Sequence, residues 1–219
     1  MRRAMQLTAA VLVLSSAAQA QTAAPAGGGP GHGYVEGVAQ SAFGNVTSQS
    51  YGVEVGFTVA PQLQIFGEAG QTRNVAPSSL GAAAQLMAGA LAQTQSNVNF
   101  TAREPAVLVD AGVKYLFGAA GSKAVPYLLA GFGVARVTRD VTFTVGGTDV
   151  TTNLQQFAIT LGTDLSGAST RPMMVFGVGV TYPIWRQVGI DAQFRFGRIF
   201  AEEQAINSSR LGLGIGVRF

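Results

Sequence analysis

From residue 211 to the C-terminus every second residue is apolar. Leu211, Leu213, Ile215, Val217 and Phe219 are separated by Gly212, Gly214, Gly216 and Arg218. Successive side chains of a strand point to opposite faces, so this segment predicts a strand with one oily face and one small or polar face. Tyr51, Val53, Val55, Phe57 and Val59 repeat the pattern, as do Val107, Val109, Ala111, Val113 and Tyr115. So do Met174, Phe176, Val178, Val180 and Tyr182, and Val188, Ile190, Ala192, Phe194 and Phe196. Weaker alternation marks 34–43, 63–72 and 126–138. Eight segments result, each near the roughly 9–11 residues with which a tilted strand crosses a bilayer.

The connections alternate in length. Those at 60–62, 118–125 and 183–187 are short, whereas 73–104, 139–171 and 201–208 are longer, with an intermediate one at 44–50. Short turns at one end and long loops at the other suit a membrane-spanning barrel, and an even number of antiparallel strands closes the sheet without an edge. The expected fold is therefore all-β: a closed, antiparallel, up-and-down transmembrane β-barrel of eight strands. Leu80, Ala84, Met87 and Leu91 fall at helical spacing within the Ala-rich stretch 78–93, which predicts a short helix in the loop after the third strand. Val141, Phe143 and Val145 either extend a strand above the membrane or, with 153–161, form a hairpin that would raise the strand number to ten.

Composition supports a solvent other than water. Charged residues make up 11% of the chain, against roughly a quarter in soluble domains. No run of about 18 apolar residues follows the N-terminus, so helices are not the spanning elements. A charge facing lipid at mid-depth costs about 2–4 kcal/mol. Glu54, Glu68, Asp110, Lys114, Arg136, Asp191, Arg195 and Arg210 are accordingly assigned to the interior, as a structural network of paired lumen charges. A soluble barrel would instead carry Lys and Glu, not Gly, on its polar face. Tyr51, Tyr115, Tyr127, Tyr182, Trp185 and Phe219 are candidates for the aromatic belts at the membrane boundaries.

Arg2 and Arg3, an apolar stretch at 5–14 and Ala18-Gln19-Ala20 match a secretory signal cleaved after Ala20. The expected organisation is a signal at 1–20, a flexible lead-in at 21–33 and a barrel at 34–219. Cleavage lowers the formal charge from +3 by the two arginines, to +1, and no nucleic-acid partner is expected.

The signal, the start at Tyr34, the segment PYLLAGFGVAR at 126–136 and the alternation ending at Phe219 together resemble the small outer-membrane barrels of the OmpA/OmpX type and the opacity-protein-like barrels. The resemblance implies a bacterial outer-membrane location in contact with membrane lipid and lipopolysaccharide. It implies that Leu213, Ile215, Val217 and Phe219 form the C-terminal signal read by the barrel assembly machinery. It also implies a non-enzymatic role in envelope integrity or surface interaction and adhesion; the alternative is a pore for small solutes or hydrophobic compounds.

Chemistry is sparse. The single histidine, His32, precedes the first strand, so the barrel offers no His-based triad or paired-His metal site. The absence of Cys excludes thiolate sites. Gly131 and Gly133, or Gly177 and Gly179, lie inside strands and lack the strand-to-helix setting of a phosphate loop. No catalytic residue, metal or cofactor is expected.

Overall fold

The computed structural model describes residues 32–117, 123–157, 162, 165–201 and 205–219. The expected signal and nearly all of the lead-in lie outside the described residues. The elements are β1 (Gly33–Phe43), β2 (Ser48–Ala60), β3 (Leu63–Thr72), α1 (Ser78–Ala92), β4 (Val98–Arg103), β5 (Ala106–Leu116) and β6 (Val125–Val145). They continue with β7 (Thr148–Asp149), a 3-10 turn (Thr151–Phe157), β8 (Ser166–Trp185), β9 (Val188–Ile199) and β10 (Ile206–Arg218).

Eight strands close a ring in the order β1-β2-β3-β5-β6-β8-β9-β10. β10 returns to β1 in an antiparallel ladder from Tyr34 opposite Arg218 to Phe43 opposite Ser209. The backbone amides and carbonyls of Gly33 and Phe219 are reciprocally bonded at 2.9 Å, sealing the seam. The ten-strand alternative does not hold. Residues 141–145 extend β6 beyond the ring, where they pair with β4 and β7, and the described part of 153–161 belongs to the 3-10 turn.

The strands are staggered. A single row of paired residues starts at Thr58 on β2 and passes through Gln64, Lys114, Leu129, Gly177, Arg195, Arg210 and Ala42. It meets β2 again at Ser48, displaced ten residues along the strand (58 − 48). Such a shear accompanies tilted strands and sets how wide the lumen is.

The period-two pattern sorts the residues as the alternation requires. Val53, Val55 and Phe57 of β2, Phe176 and Val178 of β8, and Leu211, Leu213 and Ile215 of β10 are exposed on the outer wall. Glu54, Glu68, Asp110, Lys114, Asp191, Arg195 and Arg210 are buried inside. Two expectations fail on β6. Arg136 shares the outward parity of Leu128, Phe132 and Val134 and is exposed. It sits near the long-loop end, opposite Val107 and Thr170, where the cost of a lipid-facing charge falls to about 0–1 kcal/mol. Tyr127 has the inward parity and is buried in the lumen, so it belongs to no exterior belt. Tyr51, Tyr115, Tyr182, Trp185 and Phe219 are exposed.

Two lumen glycines exist to make room for rings. A Cβ on Gly56 would overlap the Tyr34 ring, and one on Gly179 would overlap the Tyr127 ring and hydroxyl. We expect Gly56→Val to displace Tyr34 and lower stability by about 1–3 kcal/mol, the usual cost of overpacking, measured as the denaturant midpoint of the refolded barrel in detergent.

Candidate functional site: the lumen network and the loop cap

Four adjacent strands each place one carboxyl in the same cross-strand row. Glu36 on β1 faces Glu54 on β2, Glu54 faces Glu68 on β3, and Glu68 faces Asp110 on β5. Like charges directly opposite one another destabilise a sheet. All four are at least 95% buried, so water does not screen them.

The cations that answer them come from around the barrel. Arg195 on β9 reaches across the lumen and donates to Glu54 and Glu68 through its two terminal nitrogens. Its Nε donates to Gln193 at 2.5 Å. Arg210 on β10 donates to Glu68 at 2.9 Å, and Lys114 on β5 donates to Glu54 at 2.6 Å. Arg195 is fully buried and its guanidinium lies 5.7 Å from the centre of the Phe66 ring. The Lys114 ammonium sits 4.9 Å from the Tyr34 ring and 4.4 Å from the Tyr127 ring, an aromatic cradle that offsets part of its lost hydration.

Neutral donors complete the network. Tyr34 donates to Glu54 at 2.5 Å, Tyr127 donates to Asp191 at 2.7 Å, and the Gln193 amide donates to Glu36 at 3.2 Å. Of the eight residues assigned inward from sequence, seven converge here and Arg136 does not. Glu36, Tyr34, Tyr127 and Gln193 escaped the sequence assignment. All four lie on the inward parity of strands already recognised, so their alternation carried the signal.

The lumen is not polar throughout. Ala106, Leu108, Ala135, Val137, Met173, Val175, Ile199 and Ile206 form a buried apolar cluster that also includes Phe66, Tyr127 and Leu129. Ala106, Ile199 and Ile206 stand at strand ends next to the long loops. Val75, from the loop after β3, packs on this cluster. Apolar side chains therefore crowd the long-loop mouth, beside the buried, hydrogen-bonded Ser50 and Thr72. At the opposite end a small polar vestibule lined by Tyr34, Glu36, Lys114, Thr181 and Arg218 reaches into the network.

Above the closed mouth sits a second core. Leu80, Ala84 and Leu91 of α1 pack with Ala76, Val141, Phe143, Leu154 and Leu165. Asn74 anchors both ends of this excursion, its side-chain oxygen accepting from the amides of Ala76 at 3.0 Å and Glu104 at 2.9 Å. Glu104 is buried 3.6 Å from Arg139; burial pushes its carboxyl above the usual range, and Arg139 opposes that rise. No residue from Asn74 to Ala102 is charged, and Leu86 is 77% exposed on the outer side of α1. Among the described residues no group of acidic or His side chains is arranged to hold a metal.

Comparison with known proteins follows the same outline. The profile described as "Outer membrane protein beta-barrel domain" matches residues 7–219. Neisserial surface protein A is similar in fold, with 16% identity, a TM-score of 0.51, and 86% of this chain covering 96% of that one. The N-terminal β-barrel domain of Pseudomonas aeruginosa OprF gives 17% identity and a TM-score of 0.52, with 88% of this chain covering all of that domain (100%). A major outer membrane protein from Thermus thermophilus gives 10% identity and a TM-score of 0.50, with 85% and 99% of the two chains covered. A search of curated proteins finds no match.

We expect Arg195→Met to remove the shared partner of Glu54 and Glu68 and to cost about 3–5 kcal/mol, because two buried carboxylates then lose a cation at once. The temperature at which the folded band on an unboiled gel converts to the unfolded one should drop clearly. An unchanged conversion temperature would show that the network contributes little.

Proposed function

The chain belongs to the outer membrane protein β-barrel domain family and is a protein of the bacterial outer membrane; from that premise we propose a non-enzymatic surface protein with a closed lumen, working through its external cap in envelope integrity or surface interaction. The observation that carries this reading is the combination of a cross-linked charge network with an apolar seal directly beneath a separately packed cap. A pore needs a continuous wet path, and hydrocarbon at one mouth opposes it. The cap, in contrast, is a folded structure held out by extended strands, and its longest excursion, 74–102, carries no charge.

In this reading residues 1–20 direct export and are removed, and residues 34–219 form the barrel. The closing strand, with Leu213, Ile215, Val217 and Phe219 on its outer face, engages the barrel assembly machinery. The short turns then lie on the periplasmic side and the cap outside. Arg136 and Arg198 project from otherwise apolar outer columns near the long-loop end. There they meet the headgroup layer, and guanidinium groups suit the phosphates of lipopolysaccharide.

We expect the refolded protein to show no sustained single-channel conductance in planar bilayers; steady conductance would replace this reading with the pore. Replacing Arg136 and Arg198 by Gln should weaken retention of lipopolysaccharide, in competition with a phospholipid, by about fivefold per residue, corresponding to about 1 kcal/mol for each basic group near an anionic surface. Unchanged retention would remove these two residues from the lipid contact.

A further inference from the structure

Where β5, β6, β8 and β9 run side by side, the outer wall carries a hollow with a volume of about 420 Å³. It follows a row of paired residues: Val113 faces Ala130, Ala130 faces Phe176, and Phe176 faces Phe196. All four share the outward parity of their strands. Ala130 offers only a methyl group between a valine and a phenylalanine, so the wall sinks at β6. The chain at Leu129 and Gly177, a cross-strand pair one residue off the row, completes the floor. On the β5 side stands Tyr115, whose hydroxyl donates to Gln62 at 2.9 Å and whose ring meets Phe117 edge-on at 5.0 Å. Phe132, one outward step along β6 from Ala130 toward the long loops, projects with 73% of its surface exposed.

The hollow crosses the apolar band obliquely. Three inter-strand steps of about 4.8 Å make it roughly 14 Å long, and a row perpendicular to tilted strands climbs through the membrane. On β9 the residue one outward step beyond Phe196 is Arg198, whereas on β6 three outward steps separate Ala130 from Arg136. The β9 end therefore reaches the headgroup layer on the long-loop side, and the Tyr115 end lies deeper. The Arg198 guanidinium turns toward the long loops, 6.0 Å from the centre of the Phe200 ring. It stands above the opening and leaves the slot apolar along its length.

An apolar slot that ends beneath a cation fits one hydrocarbon chain hung from an anionic headgroup. The cation lies on the long-loop side, and the anionic lipid of the leaflet on that side is lipopolysaccharide. We propose that the hollow seats one acyl chain of a lipopolysaccharide molecule whose phosphate lies at Arg198, a placement that rests on the outward cap and the headgroup contact read above. Surrounding lipid offers hydrocarbon everywhere, so the seated chain gains nothing by leaving water. It gains by close packing against rings that are already fixed in place. One lipid of the annulus thereby becomes a bound ligand that exchanges more slowly than its neighbours.

Retention of lipopolysaccharide by the refolded barrel, in competition with a phospholipid, tests the seat through Ala130. A130F fills the hollow and keeps both arginines. A39F puts the same ring on the outward face of β1, which stands opposite β6 in the ring. A130F should weaken retention about fivefold, the scale of packing gains within a bilayer, and A39F should leave it unchanged. Deacylated lipopolysaccharide with its phosphates intact should bind wild type and A130F equally and R198Q more weakly. Equal retention of intact lipopolysaccharide by wild type and A130F would overturn the seat. So would an A130F loss confined to retention of the phospholipid, because the seated chain would then belong to that lipid. If A130F does not refold, A130L, a smaller filler, decides by the same comparison. An R198Q that retains lipopolysaccharide like the wild type, beside an A130F that does not, would remove the headgroup contact and leave the acyl seat standing.

Discussion

A row of four carboxyls on four neighbouring strands is the constraint around which the rest of the barrel is arranged. Glu36, Glu54, Glu68 and Asp110 are brought side by side by strand register alone. Register cannot be relaxed, because a slip of one residue would turn every lumen side chain into lipid. The repulsion must therefore be answered from the far wall, and Arg195 and Arg210 answer it from β9 and β10. Each of these pairs spans at least 127 positions of sequence. Such pairs form only when the ring closes, so the network ties the last two strands to β2 and β3 without any direct backbone bond between them.

Side chains from every wall share the lumen. Polar cross-links occupy the centre, the aromatic rings of Tyr34 and Tyr127 flank Lys114, and glycines at 56 and 179 supply the space those rings take. Apolar side chains crowd the long-loop mouth. Above it the cap has its own buried cluster, and Asn74 clamps the two ends of its longest excursion. Similarity to Neisserial surface protein A and to the OprF barrel domain extends to the fold; what the cap touches is carried by its own residues.

Much of this was legible in the sequence. Alternation located all eight ring strands, though β6 runs seven residues past its predicted end at 138 and β8 begins eight residues before its predicted start at 174; the spacing of Leu80, Ala84 and Leu91 marked the buried side of α1, and the energetic cost of charge in lipid sent seven residues to the lumen. That same rule misplaced Arg136, because it holds at mid-depth and fades toward the headgroups. The aromatic-belt reading put Tyr127 on the wrong face, because an aromatic near a strand end suits either side and only its parity decides. Glu36 was overlooked in a weakly alternating strand.

The sequence by itself determined the period-two amphipathicity, the alternation of short and long connections and the shortage of charge, because these are local properties that follow from strand geometry and from the solvent on each face. Only the tertiary structure decided which carboxyl meets which cation, where the lumen turns from polar to apolar, and that the ring closes at eight. Those outcomes depend on the stagger between strands distant in sequence, and no single segment contains that information.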